Sequence, residues 1–261
     1  MSYFLDEMRK ASHARLEAAR NVASLEIQRR RAEGFTPHDL EDGFHVFAEV
    51  KPVSPAEGDL GQDGFAQLAE SYVSGGASAL SVLTEPTRFG GSLELLEELA
   101  ARVTVPVMRK DFILDPYQVW EGRAHGASGV LAIARMLDDE MLDAVVAAAR
   151  DAELFVLLEA FDRDDLDRIG DRELDPGVLV GVNSRDLDTL EVRRSAHADL
   201  FEHVPEGCVA IAESGIETPE QVSELREIGY EGVLVGTSLM RSADPGSAVA
   251  AMVAAGKGDD E

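Results

Sequence analysis

From Phe44 onward the chain alternates short apolar runs with amphipathic stretches. The runs are FHVFAEV (44–50), ALSVL (79–83), VPVM (105–108), GVLAI (129–133), LFVLLEA (154–160), VLVGV (178–182), VAIAE (209–213) and GVLVG (232–236). Runs this short and this continuously apolar read as strands buried on both faces. Between them, 63–74, 92–101, 116–125, 138–150, 162–169, 195–202 and 218–228 have helical spacing, and 245–255 follows the last run. A strand followed by a helix, repeated eight times, predicts an α/β protein with a parallel sheet covered by helices. The closed (β/α)₈ barrel fits that count better than an open doubly wound sheet. Ahead of it, Phe4, Met8, Leu16, Ala19 and Val22 fall at helical intervals among charged residues, so the first thirty or so residues read as a helical extension. No Pro/Ser-rich linker divides the chain. The expected organisation is one domain: an extension over 1–43, the barrel over 44–255 and an acidic tail over 256–261.

Charge narrows the picture. The chain of 261 residues has a formal net charge of -26, which argues against a nucleic-acid partner because a polyanion is repelled at long range. The acids are spread through the helical segments (LELLEEL, LDDEMLD, FDRDDLD) rather than gathered in a tail, which points to a cytosol of high salt and a halophilic host. There is no apolar run of membrane-spanning length, and the N-terminus is amphipathic and charged, so a soluble cytoplasmic protein is expected. The single cysteine, Cys208, excludes an internal disulfide, and the six histidines show no metal-ligand spacing; no metal is expected. Cys208 opens the seventh run, on the stability face of a barrel, and Trp120 lies within a helical segment where packing explains it.

Active sites of such barrels are built at the C-terminal ends of the strands, and here those ends are unusually polar. They carry Glu49 and Lys51, then Arg109-Lys110-Asp111, Glu159, Asn183-Ser184-Arg185, Glu213-Ser214-Gly215 and Gly236-Thr237-Ser238. Taken singly, each is more often a solvated strand end than a catalytic group. The chain has only four lysines, however, and Lys51 and Lys110 both fall at this face, while Glu159 interrupts an apolar run. Period-2 alternation puts Glu49 and Lys51 on one side of the first strand. The same rule points Lys110 into the barrel mouth and Arg109 and Asp111 outward, as rim ion pairs contributing about 0–1 kcal/mol. Ser214-Gly215 after the seventh strand and Gly236-Thr237 after the eighth occupy the usual phosphate-binding place of barrel enzymes.

The strings AEVKPVSP, RKDFILDPYQ, LLEA, GVNSRDL, AESGI and GVLVGTSLM resemble, in the same order, the motifs of the indole-3-glycerol phosphate synthase family. The resemblance runs from about Phe44 to Met240 and includes the N-terminal helical extension. It implies a (β/α)₈ barrel that, without a cofactor, closes the ring of 1-(2-carboxyphenylamino)-1-deoxyribulose 5-phosphate and releases carbon dioxide and water. Lys110 matches the family's ring-closure acid. Lys51 matches the residue that holds the anthranilate carboxylate and acts in dehydration. Glu49 and Glu159 match the carboxylates assigned to proton transfer and to orienting the lysines. Asn183, Ser214 and Glu213 match groups at the substrate, and Arg185 a neighbour in the same motif. Phe89 and Leu131 match apolar contacts to the aromatic ring, and Gly215, Gly236 and Thr237 the phosphate site. The loop after the first strand departs from the family's K-x-x-S-P-S-x-G: it keeps Ser54, another expected substrate contact, but reads Ala56-Glu57 where a serine is usual. The expected partner is a small phosphorylated substrate bound by a monomer, with other tryptophan-pathway enzymes as possible associates. Phosphoribosylanthranilate isomerase, a rival barrel reading, relies on a cysteine where this chain has Lys51. A noncatalytic phosphate-binding barrel is the other alternative, and it leaves the lysine–carboxylate set unexplained.

Overall fold

The structure is a computed structural model and describes residues 3–54, 58–59, 64–172, 174–187 and 189–258. Eight parallel strands close into a barrel: His45–Val50, Ala79–Leu83, Val107–Lys110, Gly129–Ile133, Phe155–Ala160, Val178–Asn183, Val209–Glu213 and Gly232–Val235. They pair in chain order, and the first closes against the eighth with His45 opposite Gly232. The expected barrel is the observed one, with strand ends within two residues of those read from the sequence.

Eleven helices are found among the described residues. In chain order they are α1 (Tyr3–Val22), α2 (Leu25–Ala32), α3 (Phe65–Ser74), α4 (Leu93–Ala100), α5 (Pro116–Ala124), α6 (Asp139–Asp151), α7 (Arg163–Gly170), α8 (Ser195–Phe201), α9 (Pro219–Ile228), α10 (Thr237–Met240) and α11 (Pro245–Lys257). Part of the negative charge has a local use. Asp115, Asp138, Asp162 and Asp244 each accept a backbone amide at the start of α5, α6, α7 and α11, where an oxygen satisfies an orphan donor and a negative charge suits the helix dipole.

The extension is two helices, not one. Ser24 takes the N-cap of α2 and accepts the Ile27 amide, which ends α1 at Val22 and starts a new axis. Leu5, Met8, Ser12 and Leu16 form the buried stripe of α1. The helix docks at the C-terminal end of the barrel strands: Ser12 Oγ donates to the Phe112 carbonyl at 2.6 Å and Arg9 Nη1 to the Met136 carbonyl at 2.6 Å. The sequence pattern also missed a two-residue antiparallel hairpin, Val53–Ser54 with Gly58–Asp59, and the short α10 after the eighth strand. Residues 259–261 of the expected acidic tail lie outside the described residues, and 256 and 257 belong to α11.

Inside the barrel the inward side chains stack in layers drawn from alternate strands. Following the register, Glu49, Lys110, Glu159 and Glu213 come from the first, third, fifth and seventh strands and stand at one height. Below them lie Ser81, Leu131, Gly181 and Leu234 from the even strands, and below those Phe47, Met108, Leu157 and Ile211. The core is therefore apolar up to one charged layer under the mouth.

Candidate active site

The charged layer is held together by short contacts. Lys51 Nζ donates to Glu49 Oε1 at 2.6 Å, and Lys110 Nζ lies 3.2 Å from Glu49 Oε2 and 3.2 Å from Glu213 Oε2. Asn183 Nδ2 donates to Glu159 Oε1, while the amide of Arg185 donates to Asn183 Oδ1 at 2.9 Å. Asn183 thus orients Glu159 and shapes its own turn.

Charge balance sets the protonation of this layer. Three carboxylates face two ammoniums in a site where an uncompensated charge is costly, so one carboxyl keeps its proton at neutral pH. Burial alone would raise the Glu49 pKa, but Lys51 and Lys110 outweigh it and bring it down to about 2. Burial, reinforced by the charge of Glu159, pushes Glu213 up to about 8 against the pull of Lys110. Burial also holds Glu159 above the usual carboxylate range. Burial would lower Lys110, yet the carboxylates of Glu49, Glu213 and Glu159 keep it above the ordinary lysine value, so the ammonium is present at neutral pH. The retained proton sits on Glu213, where burial and the charge of Glu159 hold it.

Above this layer opens a cavity of about 520 Å³. Glu49, Lys51, Lys110, Glu159, Asn183, Ser214, Phe89, Leu131, Arg185, Gly215, Gly236 and Thr237 all line it, as the sequence reading requires for a single site. Glu213 departs from its expected place at the substrate. It is fully buried and outside the cavity wall, holding Lys110 from within the same layer. The Ser54 side chain and the altered Ala56-Glu57 lie outside the described residues.

Gly236, which lines the cavity, also has a packing reason to be glycine. A Cβ there would stand 2.3 Å from Glu49 Oε1, so the bare backbone makes room for the carboxylate. At the end of the seventh strand Ser214 (φ 69°) and Gly215 (φ 74°) are both left-handed, an unusual conformation for a serine, and they turn the chain into the cavity wall. Ser184 Oγ fixes that turn by donating to the Ser214 carbonyl at 3.0 Å.

Arg109 points away from the mouth, as alternation requires, and the Asp111 carboxylate is held by Arg109 and Arg15 although Asp111 also borders the cavity; neither is a rim residue. They are 2% and 3% exposed. Arg109 binds Asp111 at 3.1 Å, Glu121 at 2.9 Å and the Gln118 carbonyl at 2.7 Å; Asp111 also takes both guanidinium nitrogens of Arg15, at 2.9 and 2.7 Å. The expectation of weak surface pairs is corrected: α1 and α5 cover this strand end and seal the ions from water. Of the aromatic wall, the sequence reading expected Phe89 but missed Phe4 and Phe112. Phe4 from α1 and Phe112 meet Phe89 with ring centroids 6.0 to 6.5 Å apart. Phe112 was legible, since it lies two residues beyond Lys110 and shares its side; nothing local to Phe4 announces its place.

A closed parallel barrel with an acid–base layer beneath a cavity that is apolar on one side and polar on the other defines a (β/α)₈-barrel enzyme working on a small molecule. A sequence model of the indole-3-glycerol phosphate synthase family matches residues 5–252. Curated relatives carry that name: one from Beutenbergia cavernae is 46% identical over 83% of this chain and 79% of its own length. One from Kineococcus radiotolerans is 42% identical over 97% and 88%, and indole-3-glycerol phosphate synthase 1 of Streptomyces coelicolor is 40% identical over 97% and 96%. This chain belongs to the indole-3-glycerol phosphate synthase family. Among solved structures, 3-hexulose-6-phosphate synthase from Salmonella typhimurium shares the fold, with a TM-score of 0.65 at 14% identity over 80% of this chain and 96% of that one. Tryptophan synthase subunit alpha from Legionella pneumophila does so with a TM-score of 0.56 at 14% identity over 81% and 92%.

Proposed function

We propose that the protein converts 1-(2-carboxyphenylamino)-1-deoxyribulose 5-phosphate into indole-3-glycerol phosphate, acting as a carboxy-lyase of tryptophan biosynthesis. The observation that carries the reading is the convergence of two ammoniums and three carboxyls in and above one barrel layer, in a chain with four lysines. The cavity suits such a molecule at both ends. Phe4, Phe89, Phe112 and Leu131 offer an apolar bed for the aromatic ring, and the turn at Ser214-Gly215 with the start of α10 offers backbone to a phosphate.

In the first step an aromatic ring carbon attacks the ketone, the new carbon–carbon bond pushes charge onto the carbonyl oxygen, and the Lys110 ammonium supplies its proton. Carbon dioxide then leaves, and the electrons of the broken bond restore the aromatic ring. In the last step the hydroxyl departs with a proton from Lys51, while a carboxylate removes a proton from the neighbouring carbon. Glu159 suits that base role: it lines the cavity, and burial holds its pKa above the usual carboxylate range, so it takes up a proton more readily than Glu49. Glu49, held at about 2, is a weak base and serves as the fixed anion that aims both lysines. No step requires a cofactor. We take it to act in the cytoplasm as a monomer, an oligomeric state that sedimentation velocity tests.

The direct experiment follows indole-3-glycerol phosphate by fluorescence. Wild-type protein should form it, and Lys110→Met should lower kcat by about a hundredfold or more while the fold persists. Near wild-type turnover in that variant would remove Lys110 from the acid role.

A further inference from the structure

An acidic residue beside a phosphate site calls for an explanation, because it repels the ligand. Glu217 lines the cavity one residue beyond Ile216, at the end where Gly215, Gly236 and Thr237 converge. Its Oε2 lies 3.0 Å from Nη2 of Arg194, another cavity-lining residue, and both side chains are more than half exposed. The backbone brings Arg194 to this end. The Arg193 amide donates to the Ser184 carbonyl at 2.9 Å, and Arg185 bridges to Val192, so the 192–194 segment lies along the end of the sixth strand, whose Ser184 hydroxyl holds the Ser214 turn beside it. The stem of Arg194 passes within van der Waals reach of Gly215, where a Cβ would stand 3.6 Å from Arg194 Cγ.

We propose that Arg194 is a phosphate-binding residue held in reserve by Glu217: in the empty site the carboxylate occupies the guanidinium, and an arriving phosphate dianion takes it over. An exposed guanidinium exchanges partners at small cost, and a dianion with three acceptor oxygens outcompetes a solvated carboxylate. Glu217 thereby favours dianionic ligands over singly charged ones, which gain too little to break the pair. Neither residue falls within the AESGI or GVNSRDL strings. The inference rests on the reading that the substrate is phosphorylated.

The test uses inorganic phosphate by calorimetry and the full substrate by steady-state kinetics, with Arg194→Gln, Arg194→Lys and Glu217→Gln. Arg194→Gln should weaken phosphate binding and raise KM by about tenfold, kcat falling far less than KM rises, with Arg194→Lys recovering part of the loss. Glu217→Gln should shift both quantities the other way, by about two- to fivefold. Unchanged phosphate affinity in Arg194→Gln, or weaker binding in Glu217→Gln, would overturn the proposal. If wild-type protein formed no indole product, the functional reading would fail, and the calorimetric pair would still decide this one.

Discussion

Asp111 ties three parts of the molecule together: the third barrel strand through Arg109, the second strand's end through Thr84 Oγ1 at 2.7 Å, and α1 through Arg15. Burial would raise its pKa, but the flanking guanidiniums hold it well below the usual carboxylate range. Removing one member of a buried ion network leaves the others uncompensated. Asp111→Asn should therefore cost about 3 to 5 kcal/mol, seen as a fall in melting midpoint under fixed salt. A loss below about 1 kcal/mol would mean the network is as weak as a surface pair. Turnover should fall too, because Lys110 sits between the two clamped residues. Glu213 gives a pH signature of definite sign. Its folded pKa, about 8, lies above the ordinary 4.5, so its contribution to stability is present below pH 4.5 and is lost as pH rises through 8. Glu213→Gln should flatten the decline in melting midpoint between pH 5 and 9 relative to wild type, and identical slopes in the two proteins would refute the assignment.

Among the elements, the even-numbered barrel strands yield space to the odd ones. A Cβ on Gly129 would enter the Phe155 ring at 2.2 Å, on Gly181 it would meet Glu213 Oε1 at 2.1 Å, and on Gly236 it would meet Glu49 Oε1 at 2.3 Å. Large or charged side chains on one strand can then reach the axis past a bare neighbour. Two substitutions separate packing from chemistry. Gly129→Ala, low in the barrel, should cost about 1 to 3 kcal/mol of stability by overpacking, with kcat nearly intact. Gly236→Ala should displace Glu49, and with it both lysines, and so lower kcat by about a hundredfold, the scale expected for a catalytic group moved by about 1 Å. Melting midpoint and kcat measured on both variants check the contrast; a Gly236→Ala enzyme of normal turnover would mean Glu49 does not position the lysines. The helical extension acts as a further wall, supplying Phe4 to the cavity and Arg15 to the strand end.

The whole molecule carries -26 charges over 261 residues, and many acids on its helices pair with arginines, as where Arg168 and Arg172 share Asp139 at 2.8 Å. The excess that remains repels itself when counterions are dilute. The melting midpoint should rise from dilute buffer to molar potassium chloride, and the dependence should shrink below pH 5 as carboxylates protonate. A flat response at neutral pH would remove the inference of a high-salt host. Strand and helix order, the polar strand ends and the inward face of Lys110 were legible in the chain, because apolar periodicity and alternation are local properties of backbone geometry. So were the motifs from AEVKPVSP to GVLVGTSLM, which identify the family. What only the tertiary structure decided depends on what lies across the barrel or over it. Period 2 says that Arg109 and Asp111 turn outward, but whether outward means water or a sealed ion network depends on α1 folding back from residue 15 to residue 111. Glu213 reads as one more strand-end acid until barrel closure brings it against Lys110, some hundred residues away in the chain, where burial and a neighbouring carboxylate keep its proton on.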